Sequence, residues 1–295
     1  MNDAISEKFR DPALVDCGAG RRLDRLGGVL VDRPCGAATG PKGTPAAWTG
    51  ATARHGTTRG AAGEWTFRDP PPLPWRIELP VGRGSIALEV RPGASGQVGL
   101  FFEQLPQWRW LAARVAPGTR VLSLFAHSGA ATLAAAAAGA AVVSVDASRQ
   151  ATALARRNAA ASELTDRPIA WIEDDARKTV GRLRRRGESF DAVVLDPPSW
   201  GHGAKGEAFA IDRDLRPLLD DVARLLPAAG GGLVLVTCHS PRWPAARLRE
   251  TLVASLADAG HPAPRVTAGP LALTAETGRR LALGVFARWA ADPPP

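Results

Sequence analysis

From Val121 to Ala287 the chain alternates short apolar runs with longer segments of helical character, and this alternation restricts the fold more than any other feature. The runs Val121–Phe125, Ala141–Val145, Ile169–Ile172, Phe190–Leu195 and Leu233–Thr237 read as strands. Between them lie helical stretches at Gly129–Ala138, Gln150–Ala160, Asp214–Leu226 and Ala245–Ala259, with a basic helix after Glu173–Asp174–Asp175. Ser148 is placed to cap the second of these. Repeated strand–helix units build a parallel sheet covered on both faces. Arg265–Leu273 and Arg280–Ala287, turning around Gly278, add a closing antiparallel pair. The expectation is an α/β domain over residues 85–295. Residues 1–84, where runs such as Val29–Leu30–Val31 are broken by Gly, Pro and Thr, read as an irregular β-rich lobe with a turn-rich, mobile stretch at Gly36–Pro45.

A chain of 295 residues has length enough for a sizeable core. The formal charge of +8 permits an anionic partner, but an arginine-rich composition with no tyrosine gives the same excess without one. Cys17, Cys35 and Cys238 form no CxxC pair, which fits a reducing cytoplasm and argues against a disulfide lattice or structural zinc. The longest apolar stretch, Ala130–Ala141, is too short and alanine-rich to span a membrane, and no membrane partner is expected. Oligomeric state is not legible.

In an open α/β sheet, ligands bind beyond the carboxyl ends of the strands, where the strand order reverses. Gly129 permits a tight turn before a helix with free N–H groups. Asp146 ends the second strand, where a carboxylate can accept from two ribose hydroxyls. Asp175, with Asp174 as its rival, ends the third and can accept from an adenine amino group. Phe125–Ala126–His127–Ser128–Gly129–Ala130 lacks the three-glycine pattern of pyrophosphate binding, and no phosphate loop is present. The pocket therefore suits a nucleoside with a small charged tail. His127 either touches that tail or serves the turn.

These residues resemble the class I S-adenosylmethionine-dependent methyltransferases over residues 85–289, and within them the branch holding the bacterial large-subunit rRNA methyltransferases of the cytosine-C5 type. The resemblance rests on Leu124–Phe125–Ala126–His127–Ser128–Gly129, on Val145–Asp146–Ala147–Ser148 with Arg157–Asn158, and on Asp196–Pro197–Pro198 followed by Gly203–Ala204–Lys205–Gly206–Glu207. Phe102–Glu103–Gln104 matches the branch's Phe–x–Gln segment. It implies a Rossmann-like seven-stranded sheet and S-adenosylmethionine as cofactor, with Phe102, Gln104, Phe125, His127, Ser128, Gly129, Asp146, Asp175 and Asp196 around it. Phe102 and Gln104 would lie near its methionyl end. An RNA acceptor, ribosomal RNA above all, is implied with it. Residues 1–75 show no match to the RNA-binding PUA module common in that branch.

Chemistry at the acceptor side falls to Asp196–Pro197–Pro198–Ser199–Trp200, where two prolines stop a buried strand and stiffen its exit. Asp196 can accept an N–H or position the cofactor's amino group. Trp200 either stacks on a planar acceptor or plugs the loop, and Lys205 is either a phosphate contact or a solvated charge. Cys238 ends the strand Leu233–Cys238 beside Asp196. A cysteine there is the nucleophile expected for cytosine C5 methylation, yet the branch's Thr–Cys–Ser step is here Thr237–Cys238–His239–Ser240. His239 either lowers the thiol pKa or leaves Cys238 a small semi-buried residue. The basic helix with Arg177, Lys178, Arg182, Arg184, Arg185 and Arg186 is a phosphate surface or a solvated face. The remaining alternatives are a small-molecule or protein acceptor, and a non-catalytic cofactor-binding module.

Overall fold

A computed structural model describes residues 12–56, 63–202, 208–227, 231–261 and 265–291. The chain divides into two units, the first made of residues 1–79, 87–105 and 272–283, the second of residues 80–86, 106–271 and 284–295.

In the first unit β1 (Ala13–Gly18), β2 (Arg21–Leu26), β3 (Val29–Pro34), β4 (Ala53–His55) and β5 (Trp65–Phe67) form a five-stranded sheet in that order. All neighbours are antiparallel except β3 and β4. This sheet buries charge. Asp24 accepts from Arg22 Nε at 2.9 Å and from Arg33 Nε at 2.8 Å, and all three side chains are nearly excluded from solvent. Within the turn-rich stretch Gly36–Pro45, Gly43 and Thr44 are hydrogen-bonded to buried Asp16. Its carboxylate accepts from the backbone N–H groups of Cys17, Gly43 and Thr44 and from Trp48 Nε1. Burial works against that charge, yet the bonds from Thr44, Trp48, Cys17 and Gly43 hold the carboxyl below its ordinary value.

β6 (Arg76–Val81) and β7 (Gly84–Glu89) form a two-stranded ribbon, and a 3₁₀ turn at Phe102–Gln104 leads into α1 (Leu105–Ala112). The second unit then runs β8 (Arg120–Leu124), α2 (Ala130–Ala137), β9 (Ala141–Asp146), α3 (Arg149–Ala161), β10 (Ile169–Glu173), α4 (Ala176–Arg185) and β11 (Ala192–Leu195). A small hairpin, β12 (Trp200–His202) and β13 (Ala208–Ala210), precedes α5 (Ile211–Ala223), β14 (Leu233–Cys238) and α6 (Ala245–Asp258). The chain closes with β15 (Val266–Thr274) and β16 (Arg280–Ala290).

The central sheet has the order β10-β9-β8-β11-β14-β16-β15. Its first five strands are parallel and β16 is antiparallel to β14. The expected seven-stranded α/β architecture with an antiparallel C-terminal pair is therefore present. Strands of this kind are buried on both faces: every side chain of β11 and β14 is buried. Leu122, Val193, Leu195, Val234 and Val236 join Leu215, Leu219, Leu248 and Leu252 of α5 and α6 in one apolar cluster. α2 is nearly all alanine, which lets it lie close to the sheet, and Thr132 and Ser144 satisfy each other beneath it at 3.0 Å.

After β8 the chain steps outward to β9 and β10, then returns to place β11 on the other side of β8. The reversal lies between β8 and β11, so the loops after Leu124 and Leu195 flank the crevice where an open α/β sheet binds its ligand.

Candidate functional site

The loop after β8 is built from left-handed backbone. Phe125, His127 and Gly129 have φ of +56°, +47° and +80°. Such angles cost non-glycine residues about 1–3 kcal/mol each, so neighbouring structure must impose them. Phe125 is held edge-on against Phe209 of β13, with ring centres 5.2 Å apart. At Gly129 a Cβ would stand 2.8 Å from that of Ala155, so α2 can meet α3 only through glycine here. The wholly buried Asn158 of α3 donates to the Ser128 carbonyl at 2.8 Å and fixes the loop from below.

Asp146, at the end of β9, closes the loop from the side. One carboxylate oxygen accepts from His127 N–H and the other from Ser148 N–H, both at 2.8 Å. Each oxygen keeps a further lone pair, and the side chain is half-buried at the strand end. A carboxylate so oriented, beside a helix N-terminus, matches the vicinal hydroxyls of a ribose. The donor set therefore fits a nucleoside cofactor.

The carboxylates beyond β10 are differently engaged. Asp175 caps α4, accepting from Arg177 and Lys178 N–H, and both its oxygens also meet the Arg177 side chain. Burial opposes its charge, but the bonds and charge of Arg177 keep the carboxyl below its usual value. Asp174 accepts from Arg182 and from Asp175 N–H. Arg177 also bridges to Asp214, and Arg184 pairs with Asp221. Of the basic side chains on this helix, Arg177, Arg182 and Arg184 are thus each paired with a carboxylate.

Across the crevice Asp196 stands at the end of β11, half-exposed. Thr237 Oγ1 donates to its Oδ1 at 2.6 Å, and His239 Nε2 lies 3.4 Å from the same oxygen. Pro197 is buried and Pro198 half-buried, and Trp200 is 60% exposed at the start of β12. The hairpin is folded over the prolines, since a Cβ at Gly201 would come within 3.1 Å of Pro198 Cγ. Lys205 and its neighbours 203–207 lie outside the described residues. Phe102 and Gln104 are buried in the first unit, where Phe102 stacks on the Arg22 guanidinium.

Cys238 is wholly buried, and Ser240 N–H points at its sulfur at 3.5 Å. Burial, with added repulsion from the Asp196 and Asp212 charges, raises the thiol pKa despite the bond from Ser240. His239 sits at Asp196, its ring accommodated by Gly284 of β16, where a Cβ would stand 2.9 Å from His239 Nδ1.

Three residues of the site have no role assigned from the sequence, although Asn158 and Thr237 stand within the quoted motifs. Thr237 was legible from register, because Leu195 pairs with Val236 and the next residues on each strand are then neighbours. Asn158 follows Ala151 and Ala155 on one helix face, and a polar side chain on such a face needs a buried partner. Gly284 carries no comparable signal.

The sequence profile of the S-adenosylmethionine-dependent methyltransferases matches residues 43–270. The chain is 32% identical over 179 residues to ribosomal RNA large subunit methyltransferase I of Shewanella amazonensis, covering 60% of this chain and 44% of that protein. It is 34% identical over 147 residues to ribosomal RNA large subunit methyltransferase K/L of Hahella chejuensis, covering 49% and 20%. The chain thus spans less than half the length of these curated relatives. The crystal structure of the SAM-dependent methyltransferase from Agrobacterium tumefaciens superimposes with a TM-score of 0.85 at 30% identity, covering 96% of this chain and 91% of that one. With most of its length matched by the family profile and the fold shared with a solved member, the chain belongs to the S-adenosylmethionine-dependent methyltransferases, and S-adenosylmethionine is its cofactor.

Proposed function

We propose that the enzyme methylates a base of ribosomal RNA, with Asp196 and Trp200 receiving the acceptor ring and Cys238 taking no covalent part. The observation that carries this reading is the Asp196 carboxylate, fixed by Thr237 at the strand-order reversal and followed by two prolines and an exposed indole. The cofactor supplies an electrophilic methyl group. The chain's own work is then to orient an acceptor that is already nucleophilic.

Asp146 accepts the ribose hydroxyls, with its oxygens aimed by His127 and Ser148. Phe125, His127, Ser128 and Gly129 shape the turn beside the cofactor, while Phe102 and Gln104 are assigned to it by resemblance alone. Asp175 contributes through the cap that starts α4 rather than by a free carboxylate. Asp196 accepts an N–H of the acceptor ring, Pro197 and Pro198 keep the wall rigid, and Trp200 stacks on the ring face. A fully buried thiol with a raised pKa is a poor nucleophile. This favours direct methylation of a ring or exocyclic atom over the cysteine-dependent C5 route. The names of the relatives supply the ribosomal RNA part of the reading.

Transfer of tritiated methyl from S-adenosylmethionine into the fractions of a cell extract tests it. Label is expected in large-subunit rRNA, with the modified nucleoside identified by mass spectrometry. Label confined to protein or to small molecules overturns the RNA acceptor.

A further inference from the structure

Two sets of arginines in the second unit contrast in their partners. Arg177, Arg182 and Arg184 of α4 are each paired with a carboxylate. Arg114, just beyond α1, and Arg288 of β16 are not: among the described residues neither forms an ion pair. Both instead lie on aromatic rings. The Arg114 guanidinium is 4.5 Å from the centre of the Trp110 ring. Arg288 is 4.9 Å from the same ring and 5.0 Å from that of Phe286. Their hydrogen bonds go to neutral oxygens, from Arg114 to the Trp110 carbonyl and from Arg288 to Gln107 Oε1.

Among the described residues these two guanidiniums have no carboxylate partner, and each lies on an aromatic ring. Burial and the neighbouring Arg114 charge both pull the Arg288 pKa down, so the pair sits in an uncompensated positive field. Trp110, Phe286 and Arg288 are half-exposed and Arg114 is exposed. The ring of Phe286 lies over Gly269 of β15, where a Cβ would come within 3.2 Å, so bare backbone makes room for it.

Register ties this cluster to the acceptor wall. Phe286 pairs with Thr237 and Arg288 with Leu235. Directly opposed residues of an antiparallel pair share one face, as do positions two apart on a strand. Arg288, Phe286 and Thr237 therefore lie on one face of the sheet, and Thr237 is the residue that holds Asp196.

We propose that Arg114, Trp110, Arg288 and Phe286 form a binding track for single-stranded RNA, on which the nucleotides next to the methylated base are held by their phosphates and by stacking. The proposal rests on the RNA reading above. Guanidinium forks match phosphate oxygens, and aromatic and guanidinium planes accept bases of any sequence. The track lies on the acceptor side of the sheet. On the basic helix α4, on the adenine side, Arg177, Arg182 and Arg184 are already paired with carboxylates.

The test is fluorescence anisotropy of a labelled single-stranded RNA oligonucleotide across a salt series, on the full chain. Each phosphate contact on a single strand contributes about 0.7 to the slope of log affinity against log salt. The double variant Arg114→Gln, Arg288→Gln is expected to bind more weakly and to lower the slope by about 1.4. Cofactor affinity by calorimetry should not change, and Arg184→Gln should leave RNA binding as it is. Should the double variant fold poorly, Arg114→Gln alone carries the test, because the position is exposed; its expected slope change is about 0.7. An unchanged slope in a folded variant overturns the track while leaving the RNA reading intact. Wild-type protein that shows no salt-dependent RNA affinity overturns the RNA reading itself. Competition by polyglutamate as effective as that by RNA replaces RNA with an acidic protein as the occupant.

Discussion

Thr237 Oγ1 donates to Asp196 Oδ1 at 2.6 Å across the ends of two adjacent parallel strands, β14 and β11. Two rigid elements thus fix the direction of one half-exposed carboxylate, with His239 Nε2 at 3.4 Å on the same oxygen. A bond to a charged acceptor contributes about 1.5–3 kcal/mol. Thr237→Val keeps the shape of the side chain and removes the donor. Its expected effect is a loss on the order of tenfold or more in kcat/KM with little change in thermal stability, whereas Thr237→Ser should recover most of the activity. Steady-state kinetics beside a melting curve separate the two, and a valine variant of normal turnover removes Thr237 from the site.

Asp146 is oriented before any ligand arrives, because His127 and Ser148 each donate one backbone N–H to it. Asp146→Ala removes the brace on the left-handed loop and, in the proposed reading, both acceptors for the ribose hydroxyls. Cofactor affinity is expected to fall by more than tenfold, given two charge-assisted bonds of about 1.5–3 kcal/mol each. Isothermal titration with the demethylated cofactor product measures it. Equal affinity in a folded variant would falsify the ribose assignment.

The central sheet was legible because its strands are unbroken apolar runs and their ends carry the polar residues. The first unit was less so, since its strand Arg21–Leu26 mixes charged and apolar residues and no strand was assigned there. Its Arg22 and Asp24 are in fact buried, compensated by one another and by Arg33, a pairing that hydrophobic periodicity does not reveal. The hairpin of β12 and β13 escaped because three-residue strands show no alternation. At the site, Asp146 and Asp196 stand where strand ends put them. Asp175 differs because the first turn of α4 needs an acceptor and Arg177 lies within reach, demands that a motif match does not weigh.

Asn158 is the buried support of the loop after β8. Asn158→Leu leaves the Ser128 carbonyl without its donor, at a cost of about 1–3 kcal/mol. A lower melting temperature is expected together with weaker cofactor binding, since the loop that shapes the cofactor site loosens. A leucine variant as stable as wild type shows that the carbonyl finds another partner.

Asp16 makes the first unit sensitive to acid. Its carboxyl pKa is held below the ordinary 3.8 against the opposing effect of burial. A carboxyl depressed on folding adds stability that is complete above its unfolded pKa and is lost as pH falls through the lower folded value. Asp16→Asn is therefore expected to destabilise the first unit at neutral pH and to flatten the decline in stability below about pH 4. Denaturation curves followed by tryptophan fluorescence from pH 2 to pH 7 check this. Parallel declines in variant and wild type assign the acid sensitivity to other carboxyls.

Cys238 divides the two routes for methyl transfer. In the cysteine-dependent route the thiolate must reach the acceptor base, so Cys238→Ala abolishes turnover. The buried thiol with its raised pKa supports the other outcome, in which Cys238→Ala keeps most of its activity and loses about 1 kcal/mol of stability through the vacated volume. Iodoacetamide at pH 7 gives an independent measure, because alkylation follows thiolate fraction and exposure. Mass spectrometry of the native protein should find Cys238 unmodified while the half-exposed Cys35 reacts. Rapid alkylation of Cys238, or an alanine variant with no turnover, reinstates the cysteine as nucleophile and moves the methylated atom to a carbon of the base.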